Sequence, residues 1–166
     1  MSASRFTRRS SPFSMTCAIE VAIRATPEVV WILLTDATRF PHWNSTVTRI
    51  EGRIREGSRI RIHVPGTRRT FTPTVSEVVT AQRMTWSDGI GPVFRGVRTF
   101  TLDPRAGGST HFTMTERFSG LAFALTRPLL PDFRPIFEAY GNDLKREAER
   151  IAMELQDSMA PRSKTA

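Results

Sequence analysis

Two charged residues stand out because every second neighbour in their segments is apolar. In residues 96–103 (GVRTFTLD), a strand that turns Phe100 and Leu102 to the core also turns Arg98 to it. In residues 110–120 (THFTMTERFSG), Phe112, Met114 and Phe118 share a face with Glu116. A hairpin around Gly107 and Gly108 opposes residues whose numbers sum to about 212 to 214, so Arg98 falls opposite Glu116 or one diagonal away. An unpaired inward charge costs several kcal/mol, and the two are therefore expected to pair. Such a pair is either a buried ion pair and nothing else, or a device in which Glu116 orients the Arg98 guanidinium toward a ligand carboxylate, phenolate or ketone.

Other residues of catalytic type are placed differently. His42, beside Trp43, has the chemistry of a general base, although no acidic partner accompanies it in the sequence. Arg61 and His63 alternate against Ile60, Ile62 and Val64, and His111 alternates against Phe112, so all three are expected to face water. Asp36 and Asn44 flank a proline-containing segment and read as turn caps. The sequence has no Gly-x-Gly-x-x-Gly turn opening a helix, no Gly-Lys-Ser/Thr phosphate loop, no His-Glu-x-x-His, no Gly-x-Ser-x-Gly and no Cys-x-x-Cys. No cofactor and no metal are expected, since the single Cys17 and three histidines make a poor zinc set.

The elements that must position these residues follow from the hydrophobic period. Residues 16–25 alternate through Ile19, Val21 and Ile23, as a half-buried strand does. Thr26, Pro27 and Glu28 read as an N-cap, a first-turn proline and an acid matched to the helix dipole, which predicts a short helix. Residues 36–44 contain a proline and predict a turn or brief helix carrying Phe40 and Trp43. From residue 46 the period is two, with candidate strands at 46–52, 58–64, 69–79, 83–88, 93–103 and 110–120 joined by hairpin-length links. Pro128, Pro131 and Pro135 bar a long helix from starting at 121, so the last helix is expected to start near Asp132. Its apolar stripe runs through Phe137, Tyr140, Leu144 and Ala148. The fold class predicted is α+β: a curved antiparallel sheet of about seven strands wrapped around a long C-terminal helix, with two short helices after the first strand.

The 166 residues suit one domain, and 24 Lys plus Arg against 16 Asp plus Glu give a net charge of +8. Arg5, Arg8 and Arg9 supply +3 of this from residues 1–15, while residues 16–155 hold 19 bases against 15 acids with no run of five or six bases. A nucleic-acid partner is therefore not expected. Residues 1–15 lack the apolar stretch of a secretory signal and read as a disordered basic tail, or as an over-extended start with Met15 as initiator. Residues 157–166 read as a flexible tail. No stretch approaches 18 uncharged apolar residues, so integral membrane association is not expected. A cytoplasmic location and a monomer or homodimer are the default expectations.

Four phrases carry a family resemblance: IEVAIRATPEVVWILLTDATRFPHWN at the front, FTPTVSEVVTAQRMTW in the middle, GVRTFTLDP, and FTMTERFSGL before the last helix. Together with the element order they resemble the START-like, or Bet v 1-like, superfamily (SRPBCC), specifically its bacterial polyketide cyclase/dehydrase and lipid-transport group. The likeness covers about 16–155, and the domain is drawn at 16–156. It implies a helix-grip fold with a ligand cavity between sheet and helix. The implied lining is Trp43 at the mouth, Phe71, Trp86, Phe100 and Met114 from the strands, and Phe137, Tyr140 and Leu144 from the helix, with Arg98 and Glu116 as polar anchors. In related cyclases, cavity Arg and Tyr residues hold and polarise a polyketide chain, which makes Arg98 and Tyr140, and with them His42, the catalytic candidates. Three functions stay open: binding of a small hydrophobic ligand of lipid, polyketide or aromatic type for transport or sensing; a cyclase, aromatase or dehydratase acting on a ligand in the same cavity; and a protein-interaction domain of the chaperone-activator type.

Overall fold

The structure is a computed structural model and describes residues 4–126 and 130–159. In chain order, β1 (Arg5–Ser11) and β2 (Ser14–Ile23) lead to α1 (Pro27–Thr35) and α2 (Phe40–Trp43). Three short strands follow, β3 (Arg49–Glu51), β4 (Arg61–His63) and β5 (Thr70–Phe71). Then come β6 (Thr74–Val79), β7 (Arg83–Ile90), β8 (Phe94–Arg105), β9 (Ser109–Ser119), α3 (Leu121–Thr126) and α4 (Arg134–Met159). The large sheet has the order β1-β2-β9-β8-β7-β6, all antiparallel, and β3-β4-β5 form a second, small sheet. This is the α+β helix-grip arrangement, with α4 lying against the inner face of the large sheet.

Alternation builds that inner face. Met15, Cys17, Ile19, Val21 and Ile23 of β2 are all buried, and so are Phe112 and Met114 of β9, Phe100 and Leu102 of β8, and Met84 and Trp86 of β7. The α4 stripe of Phe137, Tyr140, Leu144 and Ala148 is buried with them. Gly141 permits the close approach of α4 to β2, because a Cβ there would lie 2.8 Å from Val21 Cγ2 and 3.2 Å from Ile19 Cγ1. Gly141→Ala gains about 1 kcal/mol of helix propensity but overpacks this contact, at a cost of about 1–3 kcal/mol. The expected outcome is a lower urea midpoint, and an unchanged midpoint would mean that the helix shifts freely over the sheet.

The two ends of the chain depart from expectation. Residues 4–15 are not a disordered tail: β1 pairs with β2 from Arg5↔Glu20 to Ser11↔Ser14, and Met15 is buried. The cause is Phe6, whose ring packs edge-on against Phe137 at 5.8 Å beneath the Arg134 guanidinium at 5.2 Å, an apolar anchor hidden among arginines. The strand run divides between the large sheet of six strands and the small sheet of three. Pro73 has no N–H to continue the run 69–79 and separates β5 from β6, while its carbonyl accepts the Ile60 N–H at 3.0 Å. At the far end, α4 begins at Arg134, whose N–H is accepted by the Asp132 carboxylate at 3.0 Å, and it continues through Met159. The start of the expected 157–166 tail is thus helical, and residues 160–166 lie outside the described residues.

Candidate functional site

Arg98 and Glu116 are directly opposed across β8 and β9, in the register whose numbers sum to 214. Both Arg98 Nε and Nη2 donate to Glu116 Oε2, at 3.2 and 2.6 Å. Side-chain exposures of 23% and 15% leave the pair largely shielded. Their row of the inner face continues through Cys17 of β2 on one side and through Trp86 of β7 to Val75 of β6 on the other. Burial opposes the Arg98 charge, but the Glu116 carboxylate and its hydrogen bonds outweigh burial and hold the guanidinium firmly protonated.

Tyr140 reaches this row from α4. Its ring lies 6.1 Å from Phe100, 6.5 Å from Phe112, 5.7 Å from Trp43 and 6.4 Å from Phe40. Trp86 touches Phe100 at 4.9 Å and Phe40 at 6.1 Å. The fold thus gathers Trp43, Trp86, Phe100 and Tyr140 beside Arg98 and Glu116. Met114 is the cross-strand partner of Phe100, and Leu144 is buried one turn after Tyr140. Phe137 is buried one turn before it, but its ring contacts are with Phe6 and Phe133, toward β1. Two candidates fall elsewhere. Phe71 is on β5 in the small sheet, 39% exposed and beneath Arg69 at 5.5 Å, because Pro73 removes its segment from the large sheet. His42 is exposed, because the single turn of α2 uses Phe40 and Trp43, three residues apart, as its inward face.

The cluster holds an unusual concentration of unmade hydrogen bonds. Trp43 Nε1, Trp86 Nε1 and Tyr140 Oη are all buried without a partner. Each such group costs about 1–3 kcal/mol relative to its satisfied state. Burial pushes the Tyr140 phenol far above its ordinary 10.0, against the opposing pull of the Arg98 cation, so the hydroxyl keeps its proton and is available as a donor. Three neutral donors therefore belong to one aromatic cluster, next to the Arg98–Glu116 pair. A surface groove of about 540 Å³, bordered by Pro27, Glu28, Gln82, Arg83, Leu102 and Pro104, contains none of these residues.

Asp143 contributes a tie that sequence reasoning missed. It is buried on α4, and its Oδ2 accepts both the backbone N–H and the hydroxyl of Ser45, at 2.8 and 2.6 Å, while Arg146 donates to Oδ1 at 2.8 Å. Burial raises its pKa, but the Ser45 and Arg146 hydrogen bonds outweigh that and hold the carboxyl below the usual range. Asp143 thereby pins the residues following Trp43 to α4, one turn beyond Tyr140. Its one available signal was an acidic residue abutting the apolar stripe at Leu144. The capping expectations hold: Asp36 Oδ1 accepts from Thr38 and Arg39, and Asn44 Oδ1 accepts from Thr46.

Among the described residues, no group of three or more His, Cys, Asp or Glu is placed to hold a metal ion, and no helix is long and apolar enough to cross a membrane. A profile of the family described as polyketide cyclase / dehydrase and lipid transport matches residues 14–155. No curated protein matches the chain. Among solved structures, CalU16 from Micromonospora echinospora is similar at 18% identity and a TM-score of 0.57, covering 95% of this chain and 96% of that one. A conserved protein of unknown function from Enterococcus faecalis, EF2215, gives 17% identity and a TM-score of 0.63, covering 93% and 91%. DynU16, from the dynemicin biosynthetic locus, gives 19% identity and a TM-score of 0.57, covering 81% of this chain and 47% of that one. At these identities the likeness is one of fold.

Proposed function

The chain belongs to the polyketide cyclase / dehydrase and lipid transport family, and from that premise we propose that it binds a small, largely apolar ligand between the large sheet and α4, around Tyr140. The observation that carries this reading is the set of unpartnered donors, Trp43 Nε1, Trp86 Nε1 and Tyr140 Oη, in one aromatic cluster next to Arg98. Buried polar groups are nearly always satisfied, and orphans grouped in one place point to an absent partner. Tryptophan N–H, protonated phenol and guanidinium all donate and none is a strong acceptor. The ligand class that answers them is a flat aromatic or polyketide-type molecule bearing carbonyl, phenolate or carboxylate oxygens. Rings fill the space around Tyr140, so binding requires the short α2 segment with Phe40 and Trp43 to move outward against its buried ring contacts, while Asp143 holds the residues that follow at Ser45.

A cyclase reading of the same site is favoured by one arrangement, Arg98 beside Tyr140. Both would polarise a ligand carbonyl while the aromatic walls fold the chain, so that orientation supplies much of the rate. Glu116 is occupied by Arg98 and the phenol holds its proton, so neither serves as a free base. Native mass spectrometry of the purified protein is the test. A retained adduct, displaced by a fluorescent hydrophobic probe and lost in Trp86→Ala, is the expected result. A protein that carries no adduct and takes up no probe would favour the protein-interaction alternative.

A further inference from the structure

We propose that one end of the large sheet, made by the β1–β2 turn, the β7–β8 turn and α3, docks on an anionic lipid surface. Backbone hydrogen bonds fasten the three segments together: Gly120 N–H to the Phe13 carbonyl at 3.2 Å, Leu121 N–H to Pro92 at 3.0 Å and Ala122 N–H to Val93 at 2.9 Å. They bring Phe13, Ile90, Val93, Leu121 and Leu125 to a single tip, and all five are more than half exposed, with Ile90 at 78% and Leu125 at 81%. Phe123, between the two leucines of α3, is fully buried, so that helix presents Leu121 and Leu125 outward by its own period. The tip is built rather than frayed. Gly89 and Gly120 hold positive φ of 106° and 131°, and a Cβ on either would lie 2.2 or 2.3 Å from the carbonyl oxygen of Phe94 or Val93.

On the outer face of the sheet the charge near this tip is positive. On the outer face the row nearest it reads Ser11, Ser14, Ser119 and Arg95, and a neighbouring row reads Arg9, Thr16, Arg117 and Val97. Neither row holds a carboxylate. Asp88, at the edge, is occupied by the N–H groups of Thr72 and Gly89. Among the described residues Arg9, Arg95 and Arg117 enter no ion pair, although other arginines of the chain commonly do. Apolar side chains protruding from turns, with unpaired arginines behind them, match what an anionic bilayer offers: an acyl boundary to enter and phosphates to meet. A shaped protein partner would call for a groove or a flat face, whereas these residues stand at turn ends. Under the ligand-binding reading, Phe94, Phe118 and Phe133, in ring contact at 6.2 and 5.1 Å on the inner side, line the way from this tip toward Arg98; the docking itself does not depend on that reading.

Cosedimentation of the full chain with vesicles tests the proposal. Binding is expected to vesicles of phosphatidylglycerol and phosphatidylcholine in equal parts and not to phosphatidylcholine alone. Leu121→Ser/Leu125→Ser is expected to abolish it, and Arg95→Ser and Arg117→Ser each to lower the partition constant roughly fivefold. These side chains are exposed, so the variants should keep the parent circular dichroism spectrum, which is checked alongside. The proposal is overturned by absence of binding to the anionic vesicles or by binding that the serine variants leave unchanged. It is also overturned by a self-association in sedimentation velocity that the same variants abolish, which would assign the tip to a second copy. Because Arg98 lies outside the tip, vesicle binding that survives in an Arg98 variant keeps this proposal separate from the ligand site.

Discussion

Replacing Arg98 with methionine is expected to lower the unfolding free energy by about 3 kcal/mol, because it strands the Glu116 carboxylate on the inner face of the sheet. The figure sits at the lower end for a broken buried pair because 15% of the Glu116 side chain still meets water. Glu116→Leu alone strands the guanidinium and should cost a similar amount. The double variant Arg98→Met/Glu116→Leu leaves no charge inside and should recover most of the loss, which urea unfolding followed by circular dichroism measures directly. Single variants that lose less than about 1 kcal/mol would mean that the pair is solvated and its inward placement is wrong. The double variant also separates two roles that the singles confound. If the guanidinium serves a ligand, the refolded double variant should bind an aromatic carboxylate probe at least roughly tenfold more weakly than the parent, the value of one charge-assisted hydrogen bond. Parent-like binding would reduce the pair to a structural ion pair.

That pair was legible in the sequence because strand parity and hairpin register are local rules. A turn at Gly107–Gly108 and alternation on both sides determine which residues face each other, and Phe100↔Met114 follows from the same register as Arg98↔Glu116. The α4 stripe was legible for a similar reason, since helical spacing alone places Tyr140 between Phe137 and Leu144. What escaped depended on contacts distant in sequence. Phe6 among arginines looks like a tail residue until Phe137 and Arg134 are brought to it. Phe71 satisfies the strand period yet leaves the large sheet because of Pro73, two residues later. His42 looked close to the mouth by adjacency to Trp43, but adjacent residues on a helical turn point about 100° apart, and Trp43 takes the inward position. Asp143 could not be read as a tether because its partner, Ser45, lies 98 residues away.

Tyr140→Phe should move stability and binding in opposite directions, and this makes it the sharpest test of the site. The phenol oxygen is buried without a partner, so deleting it removes an unsatisfied group and should stabilise the free protein by up to about 1 kcal/mol. The ring contacts with Phe100, Phe112 and Trp43 are retained, since phenylalanine fills the same place. A residue kept only for packing would show no cost to this change. A residue kept as a donor should weaken binding of a carbonyl-bearing ligand by roughly tenfold while the melting temperature holds or rises. The pH dependence supplies an independent reading. Burial holds the folded-state pKa of the phenol above its ordinary 10.0, so the folded protein keeps this proton more tightly than the unfolded chain does. The associated stability is complete below pH 10 and is lost as pH rises above it. Urea unfolding at neutral pH and above pH 10 should show the parent losing stability that Tyr140→Phe retains. Equal losses in the two proteins would show that the hydroxyl is hydrated, and with it the claim that Tyr140 is a waiting donor would fail.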